Sequence, residues 1–419
     1  FEKSFFSKGW NYGSVNSFVL DQSGSLWIGT SENGLVQYNP TTSAIRLFSS
    51  KNGISNDKIY SLLEDREHNI WVGTAAGISQ YCGSRFEFLT QKDGLLSNNI
   101  FAFFTDSKGN YWIGSDLGVT EYSTSGMGMI SVKNYTTKNG LSHPQVVSVF
   151  EDKKGNIWLG TYGGGACKLD PLTGKVQVFS EKNGLANNNV MSIAADKDGN
   201  LWFATLGGGV SKITITGEIK NFTSADGLGS DYVYYVFNDS KNNMWFASDV
   251  LTKYDGSQFK SFADEPEIAG ITIFSVAEDK NSNIWLSASE SGIFKFEEKP
   301  RVLSGSGHAG SFQNYSSGNG LRDESPSVLV CDENNNIIIA HKSGVDKFNP
   351  SSNSFNYFGN EEGLASFEPN LNAVYKQKDG NIWIGTTNGA VKYNTSEELT
   401  NRVEPLTQIT RFRVLTDEV

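Results

Sequence analysis

An Ile-Trp-like pair returns along the whole of this 419-residue chain, and its spacing limits the fold more than any other feature. The tryptophans are Trp27, Trp71, Trp112, Trp158, Trp202, Trp245, Trp285 and Trp383, with Ile338 in a ninth position. Successive anchors stand 44, 41, 46, 44, 43, 40, 53 and 45 residues apart. A period in the forties, with several short apolar runs in each unit, is the mark of propeller blades rather than of helical solenoids. Length alone would suggest two or three domains, but a repeat overrides that prior.

Six residues before each anchor stands an aspartate, Asp21, Asp65, Asp106, Asp152, Asp196, Asp239, Asp279 or Asp332, with only Gln377 departing. Two before it comes Asn in every copy but the one with Ser25. A stretch such as Asp196-Lys-Asp-Gly-Asn-Leu-Trp202 reads as a tight hairpin, the carboxylate binding turn amides and Gly199 taking a positive φ. His68 holds the glycine place in one copy and is read as structural, because His tolerates a left-handed backbone. Two residues after the anchor only Gly, Ala or Ser occurs, as at Gly114, Gly160, Ala204 and Gly385, so a neighbouring strand is expected to cross closely there.

Each unit then continues through a Gly-containing loop, a third strand such as Ala166–Asp170 and a fourth such as Val176–Ser180. Asn183-Gly-Leu185 leads on to the next inner strand. The expected fold is all-β, a β-propeller of four-stranded antiparallel blades. Nine blades in one ring are favoured, spanning residues 1–394, with the strand around Phe5–Trp10 completing the last blade and hiding two open edges. The alternative is a seven-bladed ring plus two blades of a preceding propeller. The alternating stretch Glu404–Val419 reads as the first strand of a following domain, after a linker from residue 395.

Charge and composition narrow the function. A net charge of -11 and a pI near 5.0, with no cluster of Lys and Arg, argue against nucleic acid. Cys82, Cys167 and Cys331 lie in separate repeats without metal-ligand spacing and are expected to be buried thiols. No run of about 18 apolar residues is present, so no transmembrane helix is expected. The Asp-x-x-Gly-Asn turns lack the alternating acids of a calcium loop, and at Asp21 and Asp152 they are one residue too long for an Asp-box. The glycines at 163–165 and 207–209 join two strands instead of opening a helix, so they are not phosphate cradles. No metal or cofactor is expected.

The motifs Asn139-Gly-Leu-Ser142, Glu151-Asp-Lys-Lys-Gly-Asn-Ile-Trp-Leu-Gly-Thr161 and Lys168-Leu-Asp-Pro171 resemble the two-component regulator propeller repeats of bacterial hybrid sensor kinases, common in Bacteroidetes. In that family the propeller precedes an immunoglobulin-like domain, a membrane helix and a kinase. The resemblance therefore implies a periplasmic or extracellular sensor region. It also implies pairing of two copies through the following domain, and a membrane link only through downstream segments. Many members carry fourteen repeats in two propellers, and no kinase motif is present here.

In a four-stranded meander the loops from strand two to three and from strand four to one emerge at one end, where propellers usually bind ligands. Candidates before the inner strands are Asp57, Asn99, His143, Asn188, Asp231, Glu324 and Asn370. Those after the second strands are Glu32, Asp116, Tyr162, Asp249, Glu290, His341 and Asn388, with Trp10 and Tyr232 as nearby aromatics. This polar rim suits a small molecule or oligosaccharide, since hydroxyls need donors and acceptors and a sugar face stacks on an aromatic ring. His341 stands out because seven of nine copies carry Thr or Ser in its slot. A lyase of the streptogramin type is the rival, yet four scattered histidines offer no base poised by a second group. A protein-interaction scaffold is the third reading.

Overall fold

The computed structural model describes residues 11–40, 44–50, 54–66, 68–81, 85–124, 130–298, 310–364 and 367–395. They form an all-β propeller chain. Nine antiparallel sheets follow one another, in two compact units that divide at Phe86.

The first unit holds two sheets. One consists of β1 (Val15–Leu20), β2 (Leu26–Thr30), β3 (Leu35–Asn39) and β4 (Ala44–Phe48). The other has three strands among the described residues, β5 (Ile59–Glu64), β6 (Ile70–Thr74) and β7 (Gly77–Tyr81).

The second unit begins with β8 (Phe86–Leu89) and then lays down six consecutive meanders. These are β9 (Ile100–Thr105), β10 (Tyr111–Ser115), β11 (Val119–Thr124) and β12 (Ile130–Tyr135); and β13 (Val146–Glu151), β14 (Ile157–Thr161), β15 (Gly165–Leu169) and β16 (Val176–Phe179). Next come β17 (Val190–Ala195), β18 (Leu201–Thr205), β19 (Val210–Ile213) and β20 (Ile219–Phe222); and β21 (Val233–Asn238), β22 (Met244–Ser248), β23 (Thr252–Tyr254) and β24 (Phe259–Ser261). The last two are β25 (Ile273–Glu278), β26 (Ile284–Ala288), β27 (Gly292–Glu298) and β28 (Gly310–Tyr315); and β29 (Val328–Cys331), β30 (Ile337–His341), β31 (Gly344–Asn349) and β32 (Ser354–Phe358). The seventh sheet takes three late strands, β33 (Pro369–Lys376), β34 (Ile382–Thr386) and β35 (Gly389–Tyr393), and β8 as its fourth.

The count of nine sheets is as the sequence suggested, but the way the last one is completed is different. Strand β8 pairs with β35, Leu89 opposite Ala390 and Phe86 opposite Tyr393. The segment Phe5–Trp10, expected in that place, lies outside the described residues, as does Glu404–Val419. Inner strands touch in the order β9, β13, β17, β21, β25, β29, β33 and back to β9. Asn370 Nδ2 donates to Ile100 O at 2.7 Å, and Phe103 stacks on Trp383 with centroids 5.7 Å apart, across the same junction. The seven sheets of the second unit thus make a closed circuit, the seven-bladed alternative. An early strand hides the edge that β35 would otherwise expose.

Three devices recur among the blades. The aspartate six residues before the anchor accepts the indole N–H of its tryptophan at 2.7–3.1 Å in seven copies. The same carboxylate takes the amide of the Asn two residues before the anchor, as Asp196 does from Asn200 at 2.9 Å. A lysine on the third strand lies over the ring, 4.8–6.0 Å from the centroid at Trp158, Trp202, Trp245 and Trp285. It adds a cation–π attraction to the clip. His68 has φ 67°, and Asn242, Ser282 and Asn335 take the same left-handed place in other copies.

The second device is close approach. A Cβ added at Gly385 would sit 2.4 Å from Ile100 O, so the adjacent inner strand leaves room for nothing larger than hydrogen. The third is the Gly-Leu turn. A short 3-10 turn ends on a left-handed glycine, Gly140 with φ 99°, and the leucine after it is buried, as at Leu95, Leu141, Leu185, Leu228, Leu321 and Leu364. Cys167 and Cys331 are buried free thiols, whereas Cys82 lies outside the described residues. Burial pushes the Cys331 thiol up to about 11.

Candidate functional site

Antiparallel order brings the start of each first strand, the end of each second and the start of each third to one end of the circuit. At that end, in the second unit, stand Asp116, His143, Tyr162, Asp231, Tyr232, Asp249, Glu290 and Asn388. Asp57 belongs to the first unit, and Trp10 lies outside the described residues.

Several expected ligand groups are already committed to turns. Asp57 accepts the amide of Ser50, Asn188 that of Glu181, Asp231 that of Ser224 and Glu324 that of Ser317. Each bond spans seven residues, and those of Asn188, Asp231 and Glu324 tie the start of a 3-10 turn to the loop that enters the next inner strand. The Glu324 carboxyl is held below its ordinary value by the Ser317 hydroxyl and amide. These residues fix the loops that carry the site. Asn99 and Asn370 bond each other across the junction at 3.0 Å.

His341 is a correction. It is fully buried, and so is Asp346, whose Oδ2 lies 3.0 Å from His341 Nε2. Nδ1 accepts the amide of Ser343 at 3.2 Å, so the network puts the proton on Nε2, which donates to Asp346. In other blades this slot holds a hydroxyl that closes the loop, Thr161 donating to Gly165 O and Thr205 to Gly209 O, both at 2.8 Å. The imidazole does the same structural work with a longer side chain. It is therefore no rim ligand.

The groups left at the open end gather over β21 to β25. Tyr232 is 55% exposed and bridges to Leu206 of the preceding blade. Tyr234 and Phe274 meet edge to face, with centroids 5.1 Å apart. Thr272 Oγ1 donates to Asp249 Oδ1 at 3.0 Å. Burial raises the Tyr234 hydroxyl above its ordinary pKa, and Asp249 and then Tyr232 push it further. It stays a neutral donor beside a carboxylate acceptor.

One wall of this region comes from a bulge. Pairing of β33 with β34 breaks between Pro369 and Val374, and Asn372 in the break has φ 57°. Its amide donates to Ser327 O at 2.9 Å and its Nδ2 to Phe274 O at 2.8 Å. The bulge thus crosses the start of β29 and reaches β25. Bulges that re-aim side chains in this way are common beside binding sites.

A second group lies two blades back. Tyr162 is 44% exposed and bridges to Asn189, while His143 packs against Gly164 and accepts the Gln145 amide at Nδ1. Glu290 and Asn388 are exposed in their loops, and one oxygen of Asp116 is buried without a partner among the described residues. No three His, Cys, Asp or Glu side chains among the described residues are placed to share a metal ion. No described helix is long and apolar enough to cross a membrane. Tyr234, Thr272 and Phe274 were missed in the sequence, although each flanks or begins an inner strand; Asn372 gave no signal, because a bulge is not visible in alternation.

Comparison with known proteins agrees with this architecture. Four stretches, residues 53–76, 94–116, 140–163 and 184–207, match the two component regulator propeller family. The extracellular domain of the putative hybrid two component system BT3049 from B. thetaiotaomicron superposes with a TM-score of 0.72 at 21% identity, covering 91% of this chain and 51% of that one. That of BT4673 from the same organism gives 0.61 at 20%, covering 92% and 53%. Virginiamycin B lyase from Staphylococcus aureus gives 0.57 at 13%, covering 73% of this chain and 98% of that one. The chain spans about half the length of the two extracellular domains. None of the curated proteins matches it. At these identities the likeness shows the fold, and the four matched segments are similar to the two component regulator propeller repeat.

Proposed function

We propose that this chain is the sensing region of an extracytoplasmic two-component receptor and binds a carbohydrate at the open end of the seven-blade circuit. The observation that carries the reading is the group Tyr232, Tyr234 and Phe274 beside the Asp249–Thr272 pair. Aromatic faces next to a carboxylate and hydroxyls suit a sugar, whose ring stacks while its hydroxyls find acceptors and donors. The likeness to extracellular domains of hybrid two-component systems supports a sensor over an enzyme.

The test is a panel of neutral and acidic oligosaccharides screened by melting-temperature shift, since a ligand bound only by the folded state stabilises it. A hit should bind about tenfold or more weakly to Tyr232→Ala and Asp249→Ala, whose own melting temperatures stay near wild type. Turnover of a streptogramin with added divalent metal, or full affinity in both variants, would overturn the reading.

A further inference from the structure

The last blade departs from the repeat at two positions, Leu89 and Gln377, and one cavity is lined by Leu89 and by Trp383, the indole that Gln377 leaves without its usual acceptor. In the six other blades that have both an anchor tryptophan and a described fourth strand, that tryptophan packs on an aromatic ring from the strand or its end. Trp27 meets Phe48 at 5.7 Å, Trp112 meets Tyr135 at 5.7 Å, and Trp158 meets Phe179 at 4.9 Å. Trp202 meets Phe222 at 5.4 Å, Trp245 meets Phe262 at 5.6 Å, and Trp285 meets Tyr315 at 5.6 Å. For Trp383 the place is held by Leu89, opposite Ala390. A leucine fills less space than a six-membered ring, and a cavity of about 340 Å³ lies there. Leu89, Tyr375 and Trp383 line it from the last blade, and Phe103, Thr105 and Tyr111 from the β9–β12 blade.

The second departure is Gln377 in the aspartate slot. Elsewhere that aspartate accepts the indole N–H; here Trp383 Nε1 is buried without an acceptor among the described residues, although Trp383 is only 8% exposed. The hydroxyl of Thr105 on the facing blade is likewise buried without a partner among the described residues. A buried donor without an acceptor costs about 1–3 kcal/mol. Native proteins keep such a group where something else meets it.

We propose that this interblade cavity is a second binding site, for a neutral two-ring aromatic compound that carries a carbonyl oxygen. Size sets the ring count, because an apolar cavity of about 150 Å³ already admits benzene. Rings from Phe103, Tyr111 and Trp383 supply stacking surfaces. The Trp383 N–H and the Thr105 hydroxyl call for an acceptor. Asp93, also on the wall, is held by the Thr90 amide and hydroxyl at 2.9 and 3.0 Å, and its charge disfavours an anionic ligand. Tyr122 beside it keeps its proton, since burial and then Asp93 raise its pKa. The site is distinct from the open end and does not depend on the carbohydrate reading.

The experiment titrates the whole chain with coumarin, a neutral two-ring lactone, and with 2-naphthoate as the anionic control, by calorimetry and melting temperature. One coumarin should bind per chain, and 2-naphthoate at least about tenfold more weakly. Leu89→Phe, which restores the ring found in the other blades, should raise the melting temperature and reduce coumarin affinity by at least about tenfold. Trp383→Phe should weaken binding by roughly tenfold, one hydrogen bond's worth. Tyr232→Ala should bind coumarin as wild type does. No binding at about 1 mM coumarin, a weak site by ordinary affinity arithmetic, overturns the proposal. So does unchanged affinity in Leu89→Phe or Trp383→Phe. Should Leu89→Phe not fold, a coumarin-soaked crystal decides: density between Trp383 and Tyr111 upholds the site, and density elsewhere or none overturns it.

Discussion

The same substitution in two blades separates the hydrogen bond of the tryptophan clip from its packing. In Trp245→Phe the ring loses its N–H and its bond to Asp239 Oδ2 at 2.8 Å. Asp239 is buried and keeps the Asn243 amide and side chain, both at 2.7 Å, so one charge-assisted bond disappears from an otherwise intact network. Such a bond contributes about 1.5–3 kcal/mol. Removing part of the indole adds a cavity cost that is larger at fully packed Trp245 than at Trp383, which already borders a cavity, so packing widens the gap in the same direction. In Trp383→Phe the N–H removed had no acceptor among the described residues, so the hydrogen-bond part is absent and a buried-donor penalty is relieved. Trp245→Phe should therefore be less stable than Trp383→Phe by about 2 kcal/mol or more. Differential scanning calorimetry and urea unfolding of both variants and wild type measure the gap. Equal losses would refute the idea that the aspartate stabilises the blade through the indole, and would reduce the motif to a turn former.

Three further outcomes are expected. Gly385→Ala places a methyl 2.4 Å from Ile100 O and should cost about 2–3 kcal/mol in urea unfolding, where a permissive glycine would give a small gain. His341→Ala strands the buried Asp346 and should cost about 3 kcal/mol, and the double change His341→Thr with Asp346→Ser should regain most of it, because Thr205 and Ser211 hold those slots in another blade. A double variant as unstable as the single would remove the structural reading of His341. Asp196 is subject to burial, which on its own raises its pKa, but bonds from Asn200, Trp202 and Lys212 outweigh this and leave it below the ordinary value. Its contribution is complete above the unfolded value of about 3.9 and fades as pH falls through the lower folded value. Asp196→Asn should then flatten the fall in melting temperature as pH drops below about 5, and a profile as steep as wild type would contradict this.

The repeat was legible because each blade uses the same few contacts. Asp, Asn, Trp and a small residue recur at fixed offsets, and alternation along each strand marks which side faces a neighbour. Closure was not legible, since β8 reads like any other fourth strand, and only its pairing with β35 shows that it serves the last blade and not the one it follows. At the open end, polar loop residues looked alike in sequence. The structure divides them into turn clamps such as Asp231, a buried loop closure at His341, and exposed groups such as Tyr232. Burial of a histidine in a slot that normally holds threonine depends on Asp346, five residues on, which sequence spacing alone did not flag. Gln377 was noticed as a departure, but its consequence needed the orphaned indole to be seen.

The seven-blade circuit sealed by Phe86–Leu89 is tested most directly by melting two fragments, residues 86–395 and 90–395. The first carries every strand of the circuit and should unfold cooperatively on its own, with native β-sheet circular dichroism; the second lacks β8 and should lose that transition. A fragment 86–395 that fails to fold without the first 85 residues, or a 90–395 fragment that melts identically to it, would contradict the closure.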